Sequence, residues 1–285
     1  MRIDRLISLR TPTVRKVGVG AHTTILMYHG ICDRPEPGRH PYFKTVTSTT
    51  RFAEQMEWLA ESGAEVVPLE AWNSPTLETA LPEVDGLTKR SGPKVILTFD
   101  DGFQDFDTGA FPILRSHRFP ATVFLPTAYI GTGLELLPGV KHLDWNSVEK
   151  LAGAGIRFGS HTATHRPMAT LTSREIMVEL RTSAADISKH IETKVTEFSC
   201  PFAFPQADRA TLQAITSALT TCGYTVAVTT KIGRVNPSDD ALSLRRIPVN
   251  GEDDRKLFLA KLAGGYDWLG GVQRWTRSAK RLLAS

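Results

Sequence analysis

The sequence predicts a single α/β domain of the (β/α) barrel type, on three observations. Short apolar runs of strand length alternate with helical patterns throughout the 285 residues. Residues able to do chemistry follow these runs, where strands are expected to end. No linker or internal repeat divides the chain. Because repeated strand–helix alternation is typical of parallel sheets, a barrel is the main prediction, and an open doubly wound sheet is the alternative.

The predicted strands are short apolar runs, and residues that break regular structure close several of them. Gly30 follows the first strand and Pro205 follows the sixth. The segment that follows Gly30, to about Thr47, is rich in Pro, Gly and Arg and is predicted to be a loop. The predicted strands cover residues 25–29, 65–69, 95–99, 121–125, 156–160, 198–204, 225–228 and 244–249.

Helices are predicted where apolar residues recur every three or four positions. Ser48 is a candidate cap for the first helix, and Gly63 is expected to close it. Thr172 and Glu175 have the capping-box spacing at the start of the longest helix, and Asp208 can cap the next one. The predicted helices centre on residues 52–60, 111–114, 145–152, 176–191, 212–219, 257–262 and 268–283.

The composition is that of an ordinary globular protein with a mild basic excess. Hydrophobic residues make up 41% of the chain and charged residues 22%, with a formal net charge of +4. Part of the excess lies in the two terminal segments, which we interpret as solvated faces. Peripheral contact with an anionic membrane or polymer is the alternative interpretation. No basic motif interleaved with aromatic residues indicates a nucleic-acid partner.

Cysteine usage and hydropathy indicate a cytoplasmic location. Cys32, Cys200 and Cys222 are too far apart for a disulfide framework or a zinc ribbon. The first residues lack the apolar core of a signal peptide, and no stretch is long and apolar enough to span a membrane. We therefore expect a cytoplasmic protein, with the inner membrane face as an additional location suggested by the basic ends.

Two adjacent carboxylates mark the end of the third predicted strand. Asp100 and Asp101 follow an apolar run, and in a barrel of parallel strands this end faces the active site. Two like charges so close together repel unless a cation binds there. The sequence therefore places an acidic pair, and with it a candidate cation site, at the strand end.

Two imidazoles follow the strand predicted at 156–160. His161 and His165 are one helical turn apart, a spacing that allows both rings to bind one ion. One carboxylate and two imidazoles can hold a divalent metal and leave positions open for water. The other carboxylate is then free to act as a base.

Thr-Phe-Asp-Asp-Gly at 98–102 and His-Thr-Ala-Thr-His at 161–165 resemble two motifs of the polysaccharide deacetylases, the NodB-homology family or carbohydrate esterase family 4. The resemblance extends over about residues 25–249. It implies a distorted (β/α) barrel of about seven parallel strands. It also implies removal of acetyl groups from N-acetylated or O-acetylated sugars of a polysaccharide or its precursor, with release of acetate.

The resemblance also assigns roles to the residues of the two motifs. Asp101, His161 and His165 would bind a divalent metal, for which zinc is favoured and cobalt or nickel are alternatives. Asp100 would be the general base that activates water. The expected partner is an acetylated amino-sugar oligomer or polymer, in a groove shaped by the loops 32–47 and 131–142.

A third family motif is altered in this chain. Phe-Ala-Phe-Pro-Gln at 202–206 resembles the Phe-Ala-Tyr-Pro variant of the family and lacks the arginine that steadies the base. Arg246, on a neighbouring predicted strand, is the candidate substitute, and a surface arginine is the alternative. If the motifs align in this way, the backbone N–H of Gln206 would help to bind the oxyanion.

The last family motif supplies a C-terminal histidine as general acid, but no histidine occurs after His190. Leu-Met-Tyr-His at 26–29 resembles the N-terminal motif of circularly permuted members, similar to exopolysaccharide-modifying deacetylases. The resemblance makes His29 the general acid, because imidazole can donate a proton near neutral pH. A buried core histidine is the alternative.

The predicted organisation has three parts, and other functions stay open. An N-terminal extension covers residues 1–24, a catalytic domain 25–250, and a C-terminal helical tail packed on that domain 251–285. An amidohydrolase acting on a small non-sugar amide or cyclic imide is one alternative. A non-catalytic carbohydrate-binding protein on the same fold is another. Iron oxygenases also bind metal through two histidines and a carboxylate, but on a β-barrel scaffold and in a different motif order.

Overall fold

A computed structural model describes residues 3–10, 22–36, 38–73, 93–205 and 208–273. The chain alternates strands and helices, as the sequence predicts. The strands are β1 (Thr23–Tyr28), β2 (Gly30–Ile31), β3 (Val46–Thr47), β4 (Glu65–Val66), β5 (Lys94–Phe99), β6 (Thr122–Leu125), β7 (Arg157–Ser160), β8 (Glu197–Ser199), β9 (Val226–Ile232) and β10 (Leu244–Pro248).

Seven of these strands form a closed parallel barrel, which confirms the predicted fold class and makes the open doubly wound sheet wrong. The order around the barrel is β1-β10-β9-β8-β7-β6-β5, and β5 pairs with β1 to close it. The short β4 lies beside the N-terminal half of β5, whereas β6 pairs with its C-terminal half. Strands β2 and β3 pair separately in the loop after β1.

Helices connect the strands on the outside of this barrel. The α-helices are α1 (Ile3–Arg10), α2 (Thr49–Glu61), α3 (Phe111–His117), α4 (Trp145–Gly153), α5 (Ser173–Ile191), α6 (Arg209–Cys222) and α7 (Arg255–Leu262). Further helical turns occupy 267–273. The helix predicted at 268–283 therefore lies only partly within the described residues.

Side-chain caps begin the helices where the sequence predicts them. The Ser48 hydroxyl accepts a hydrogen bond from the backbone of Arg51, and Asp208 caps α6. Thr172 and Glu175 form the full capping box at the start of α5. Because each cap satisfies N–H groups that the helix itself leaves open, the helix starts are determined locally.

Two predicted strands are shorter in the structure than in the prediction. The strand expected at 198–204 ends at Ser199, and Phe202 has a left-handed backbone with φ of +55°, which a strand residue does not adopt. The strand expected at 65–69 is only β4, followed by a 3-10 turn at Leu69–Ala71. Both errors have the same cause, since Leu69 and Phe204 are buried although their backbone is not in a strand.

Helix α1 packs against the C-terminal part of the described chain, around α7. The Arg5 guanidinium on α1 pairs with Asp254 at 2.5 Å, and the Tyr266 hydroxyl donates to Asp4. The boundaries of the N-terminal extension and the C-terminal tail stay predictions, as does membrane contact, because residues 11–21 and 274–285 lie outside the described part. Within the described ranges, no helix combines the length and the apolar character needed to cross a bilayer.

Candidate active site

Four barrel strands bring the chemically active side chains to one mouth of the barrel. His29 follows β1, Asp100 and Asp101 follow β5, His161 follows β7, and Arg246 lies within β10. Because the strands are parallel, their C-terminal ends meet on one face, which is where (β/α) barrels place their active sites. The predicted residues therefore come together across several strands.

Arg246 holds Asp100 through a two-point ion pair inside the barrel. Its two terminal nitrogens lie 2.7 Å from the two carboxylate oxygens. The Arg246 guanidinium also donates to the Ser199 and Thr98 hydroxyls and to the Thr229 carbonyl. Both charged residues are almost fully buried, which makes the alternative of a surface arginine wrong.

The pKa of Asp100 reflects a competition between burial and this arginine. Burial alone would raise the pKa, because a low-polarity environment disfavours the ionised form. The charge of Arg246, helped by His161, by the hydrogen bonds from the guanidinium and by His29, outweighs burial and lowers the pKa. Asp100 therefore stays ionised at neutral pH, as an acceptor of a proton must.

Asp101 faces the two histidines instead of the arginine. Its Oδ1 lies 3.5 Å from Nε2 of His161 and 3.2 Å from Nε2 of His165. The histidines do not lie on a helix, since Thr162 and His165 have left-handed φ angles of +67° and +56° in an irregular loop. The rings converge as predicted, but a turn in this loop brings them together, so the helical spacing is the wrong explanation.

Two contacts fix the loop that carries these histidines. Nδ1 of His161 lies 2.8 Å from the Ser199 carbonyl, so it acts as the donor and leaves the lone pair of Nε2 toward Asp101. The buried carboxylate of Glu179 on α5 accepts the backbone N–H groups of Ala163 and Thr164, each at 2.8 Å. Helix α5 therefore shapes the loop between the two rings.

The protonation of the three residues is consistent with a ligand set. Burial would raise the pKa of Asp101, but its contacts with His161 and His165 hold that pKa well below the ordinary value. Burial would lower the pKa of His161, and the two carboxylates raise it; for His165, burial prevails and its pKa is lowered. An ionised Asp101 and an easily deprotonated His165 suit metal binding, and binding of a metal would displace the proton that the two carboxylates favour on His161.

The donor set fits a divalent metal ion. The three ligand atoms from Asp101, His161 and His165 lie within 4.8 Å of one another, and all three residues are buried. Nδ1 of His165 is buried without a hydrogen-bond partner, whereas Nδ1 of His161 has the backbone partner typical of a metal ligand. Two nitrogens and one carboxylate oxygen suit zinc, and cobalt or nickel accept the same ligands.

His29 lies beside the acidic pair because of the pairing between β1 and β5. Tyr28 pairs with Phe99, and the Asp100 N–H donates to the Tyr28 carbonyl at 3.0 Å. The partly buried imidazole of His29 interacts electrostatically with both Asp100 and Asp101. The predicted acid, His29, therefore lies beside the predicted base, Asp100, although the two residues are far apart in the chain.

The segment after β8 is described only in part. Gln206 lies outside the described residues, so its oxyanion role stays a prediction. Just before it, the Phe204 N–H donates to the Thr230 hydroxyl at 3.0 Å. Phe202 is 54% exposed, and its ring centroid lies 4.7 Å from that of His165.

A family comparison decides what this arrangement belongs to. The family model for polysaccharide deacetylase matches residues 88–227, which contain the acidic pair and both histidines. These residues form a polysaccharide deacetylase domain. Over 231 residues it is 27% identical to YxkH of Bacillus subtilis, a protein assigned to the polysaccharide deacetylases, covering 81% of this chain and 72% of that protein.

This chain is also similar in sequence to another relative and in fold to two solved structures. It is 30% identical over 124 residues to the poly-beta-1,6-N-acetyl-D-glucosamine N-deacetylase of Escherichia coli, covering 40% of this chain and 17% of that protein. The fold is similar to that of the Streptococcus pyogenes deacetylase PplD, with a TM-score of 0.69, 21% identity and coverage of 85% and 98%. IcaB from Ammonifex degensii superposes with a TM-score of 0.67 at 21% identity, covering 86% and 97%.

The structure adds residues to the site that the sequence analysis did not single out. Ser199 contacts both Asp100 and Arg246, and Glu179 holds the histidine loop. His142 is buried next to the rings of Phe103 and Tyr129, with neither ring nitrogen in a hydrogen bond. None of these residues belongs to a motif, so only their apolar or helical surroundings could be predicted from the sequence.

Proposed function

We propose that the chain is a metal-dependent carbohydrate deacetylase that removes acetyl groups from N-acetylated or O-acetylated sugars of a polysaccharide or its precursor. One observation carries the proposal. An ionised carboxylate fixed by a buried arginine stands next to a second carboxylate that converges with two imidazoles. The similarity to a relative named for poly-N-acetylglucosamine supports an acetamido sugar as the substrate.

The base of the reaction is Asp100. Both of its oxygens are held by Arg246, so the carboxylate has one orientation and does not need to reorganise when it takes a proton from the attacking water. Asp101, His161 and His165 would hold the metal, which would polarise the acyl oxygen and make water more acidic. Asp100 therefore serves as the base because it pairs with Arg246, and Asp101 serves the metal because it faces the histidines.

The acid of the reaction is His29. It lies beside Asp100 on the neighbouring strand and would protonate the nitrogen that leaves with the sugar. An amide needs this proton because a free amide anion is a very poor leaving group. Its position after β1 accords with the circularly permuted order proposed from the sequence.

Replacement of the base tests the division of tasks. Asp100→Asn should abolish acetate release from acetylated amino-sugar oligomers while metal content, measured by elemental analysis, stays near that of the unmodified protein. His165→Ala should instead lose metal. Asp107→Asn is the matched control, because Asp107 pairs with Lys150 at the protein surface. Full turnover by Asp100→Asn would contradict the proposal.

Replacement of the acid tests the role of His29 and separates the alternatives. His29→Ala should slow amide cleavage far more than cleavage of p-nitrophenyl acetate, whose leaving group needs no proton. If His29→Ala cleaves the amide as fast as the unmodified protein does, His29 is not the general acid. Acetate release only from small non-sugar amides would favour an amidohydrolase, and sugar binding with no hydrolysis a carbohydrate-binding protein.

A further inference from the structure

Phe202 combines two unfavourable features at the mouth of the site. Its side chain is 54% exposed, and its backbone has a left-handed φ of +55°. Bulky residues seldom adopt this conformation, since their Cβ crowds the backbone, whereas Gly and Asn adopt it readily. Strain of this kind persists where the surrounding structure imposes it, and it is concentrated at functional sites.

The ring of Phe202 lies outside the hydrophobic core, in contrast to that of its neighbour in the same motif. Phe204 is 2% exposed and packs in the core, with the Lys231 ammonium 4.6 Å from its ring centroid. The Phe204 N–H is anchored to Thr230. The turn therefore buries one phenylalanine and directs the other outward.

The outward ring lies beside a histidine of the candidate metal site. Its centroid is 4.7 Å from that of His165, at an interplanar angle of 56°. Strand β8 precedes Phe202 and lies three strands from β1 in one direction around the barrel and four in the other. Phe202 and His29 therefore lie on opposite sides of the barrel mouth. A substrate held at Asp101, His161 and His165 therefore has the exposed ring of Phe202 beside it.

We propose that Phe202 is a substrate-binding residue whose ring covers the apolar face of the pyranose that carries the acetyl group. A pyranose presents C–H groups on its faces and hydroxyls at its rim, so a flat aromatic ring can remove one face from water without breaking polar contacts. This inference rests on the proposed function and names the part of the substrate that the site recognises.

The test compares sugar and non-sugar substrates. Phe202→Ala should raise KM for an acetylated amino-sugar oligomer about tenfold, equivalent to about 1.4 kcal/mol, and leave p-nitrophenyl acetate hydrolysis within about twofold. Phe202→Tyr keeps the ring and should stay close to the unmodified protein. Val178→Ala, which removes an exposed apolar group from the outer face of α5, is the control and should change neither substrate.

Several outcomes would overturn the inference. If Phe202→Ala is active and leaves KM for the oligomer unchanged, the ring does not bind the sugar. Equal losses on the oligomer and on p-nitrophenyl acetate would mean that the ring acts on the catalytic groups. A lower melting temperature for Phe202→Asn, which tolerates the backbone conformation, would assign the ring to folding.

A binding measurement separates this inference from the proposed function. Calorimetric titration of the same oligomer into Asp100→Asn and into Asp100→Asn/Phe202→Ala should show about tenfold weaker binding for the second protein. If the unmodified protein releases no acetate from any acetylated sugar but this difference in binding persists, the proposed function fails, whereas sugar binding by Phe202 is supported. Equal binding by the two proteins would refute sugar binding by Phe202, whatever the activity of the unmodified protein.

Discussion

Arg246 offers the sharpest test of how this site is built. Its guanidinium makes five hydrogen bonds, two of them to Asp100, so every N–H donor of the side chain has an acceptor. Arg246 is 1% exposed and Asp100 is 3% exposed. Arg246→Met would therefore leave a carboxylate buried with only the Ser199 hydroxyl as a neutral donor.

The magnitude follows from the asymmetry of buried ion pairs. Removing one partner of such a pair costs about 3–5 kcal/mol, because the remaining charge is uncompensated, whereas replacing both by apolar groups costs far less. We expect Arg246→Met to lose about 3–5 kcal/mol in the free energy of unfolding. Asp100→Leu/Arg246→Met should recover much of that loss, and Arg246→Lys, which keeps the charge without the two-point contact, should lie between.

The assay is urea denaturation at one pH of the unmodified protein, Asp100→Leu, Arg246→Met and the double variant, analysed as a double-mutant cycle. Arg245→Met is the matched control on the same strand, since Arg245 pairs with Asp239 at the surface at 2.6 Å and exposed pairs contribute less than about 1 kcal/mol. If the two single changes at Asp100 and Arg246 simply add, or if Arg246→Met costs no more than Arg245→Met, the buried pair does not hold the base.

The remaining predictions concern the surroundings of the site. Glu179→Gln should weaken metal binding about tenfold in chelator competition, because the histidine loop loses its anchor, and Glu149→Gln on the surface should not; equal affinities would contradict this. Burial and Glu70 raise the pKa of Glu197 to about 7 from about 4.5, so the folded chain loses up to about 3 kcal/mol as pH rises from about 4.5 to above 7. Glu197→Gln should be free of that loss in denaturation at pH 5 and pH 8, and an unchanged pH dependence would refute the assignment. Gly159→Ala should cost about 1–3 kcal/mol, because its Cβ would lie 2.6 Å from the Phe124 ring; thermal melts should show no such loss for Gly153→Ala, which has open space, and an unperturbed Gly159→Ala would argue against close packing there.

Several elements could be predicted because their causes are local. The capping box of Thr172 and Glu175 and the cap at Ser48 depend on residues three positions apart. Strand β5 is buried at all its positions, which is why its uninterrupted apolar run was a clear signal. The acidic pair after it and the two histidines after β7 were predicted for the same reason, since each pair is encoded by neighbours in the chain.

Other features could not be predicted from the chain order. The strand expected at 198–204 was too long because burial of Phe204 is imposed by a turn and not by an extended backbone. Glu179 is a helix residue like many others until α5 packs beside the histidine loop. The burial of His142 likewise depends on the return of the loop over Phe103.

The sequence by itself determined which groups carry the chemistry: two adjacent carboxylates, two histidines in one short motif, and helices that begin at encoded caps. The tertiary structure decided how they are shared. Closure of the barrel through β1 and β5 places His29 beside Asp100, and β10 brings Arg246 under it. Strand pairing joins residues that are far apart in the chain, and its register depends on packing of the whole barrel, so no local pattern could assign one aspartate to the arginine and the other to the histidines.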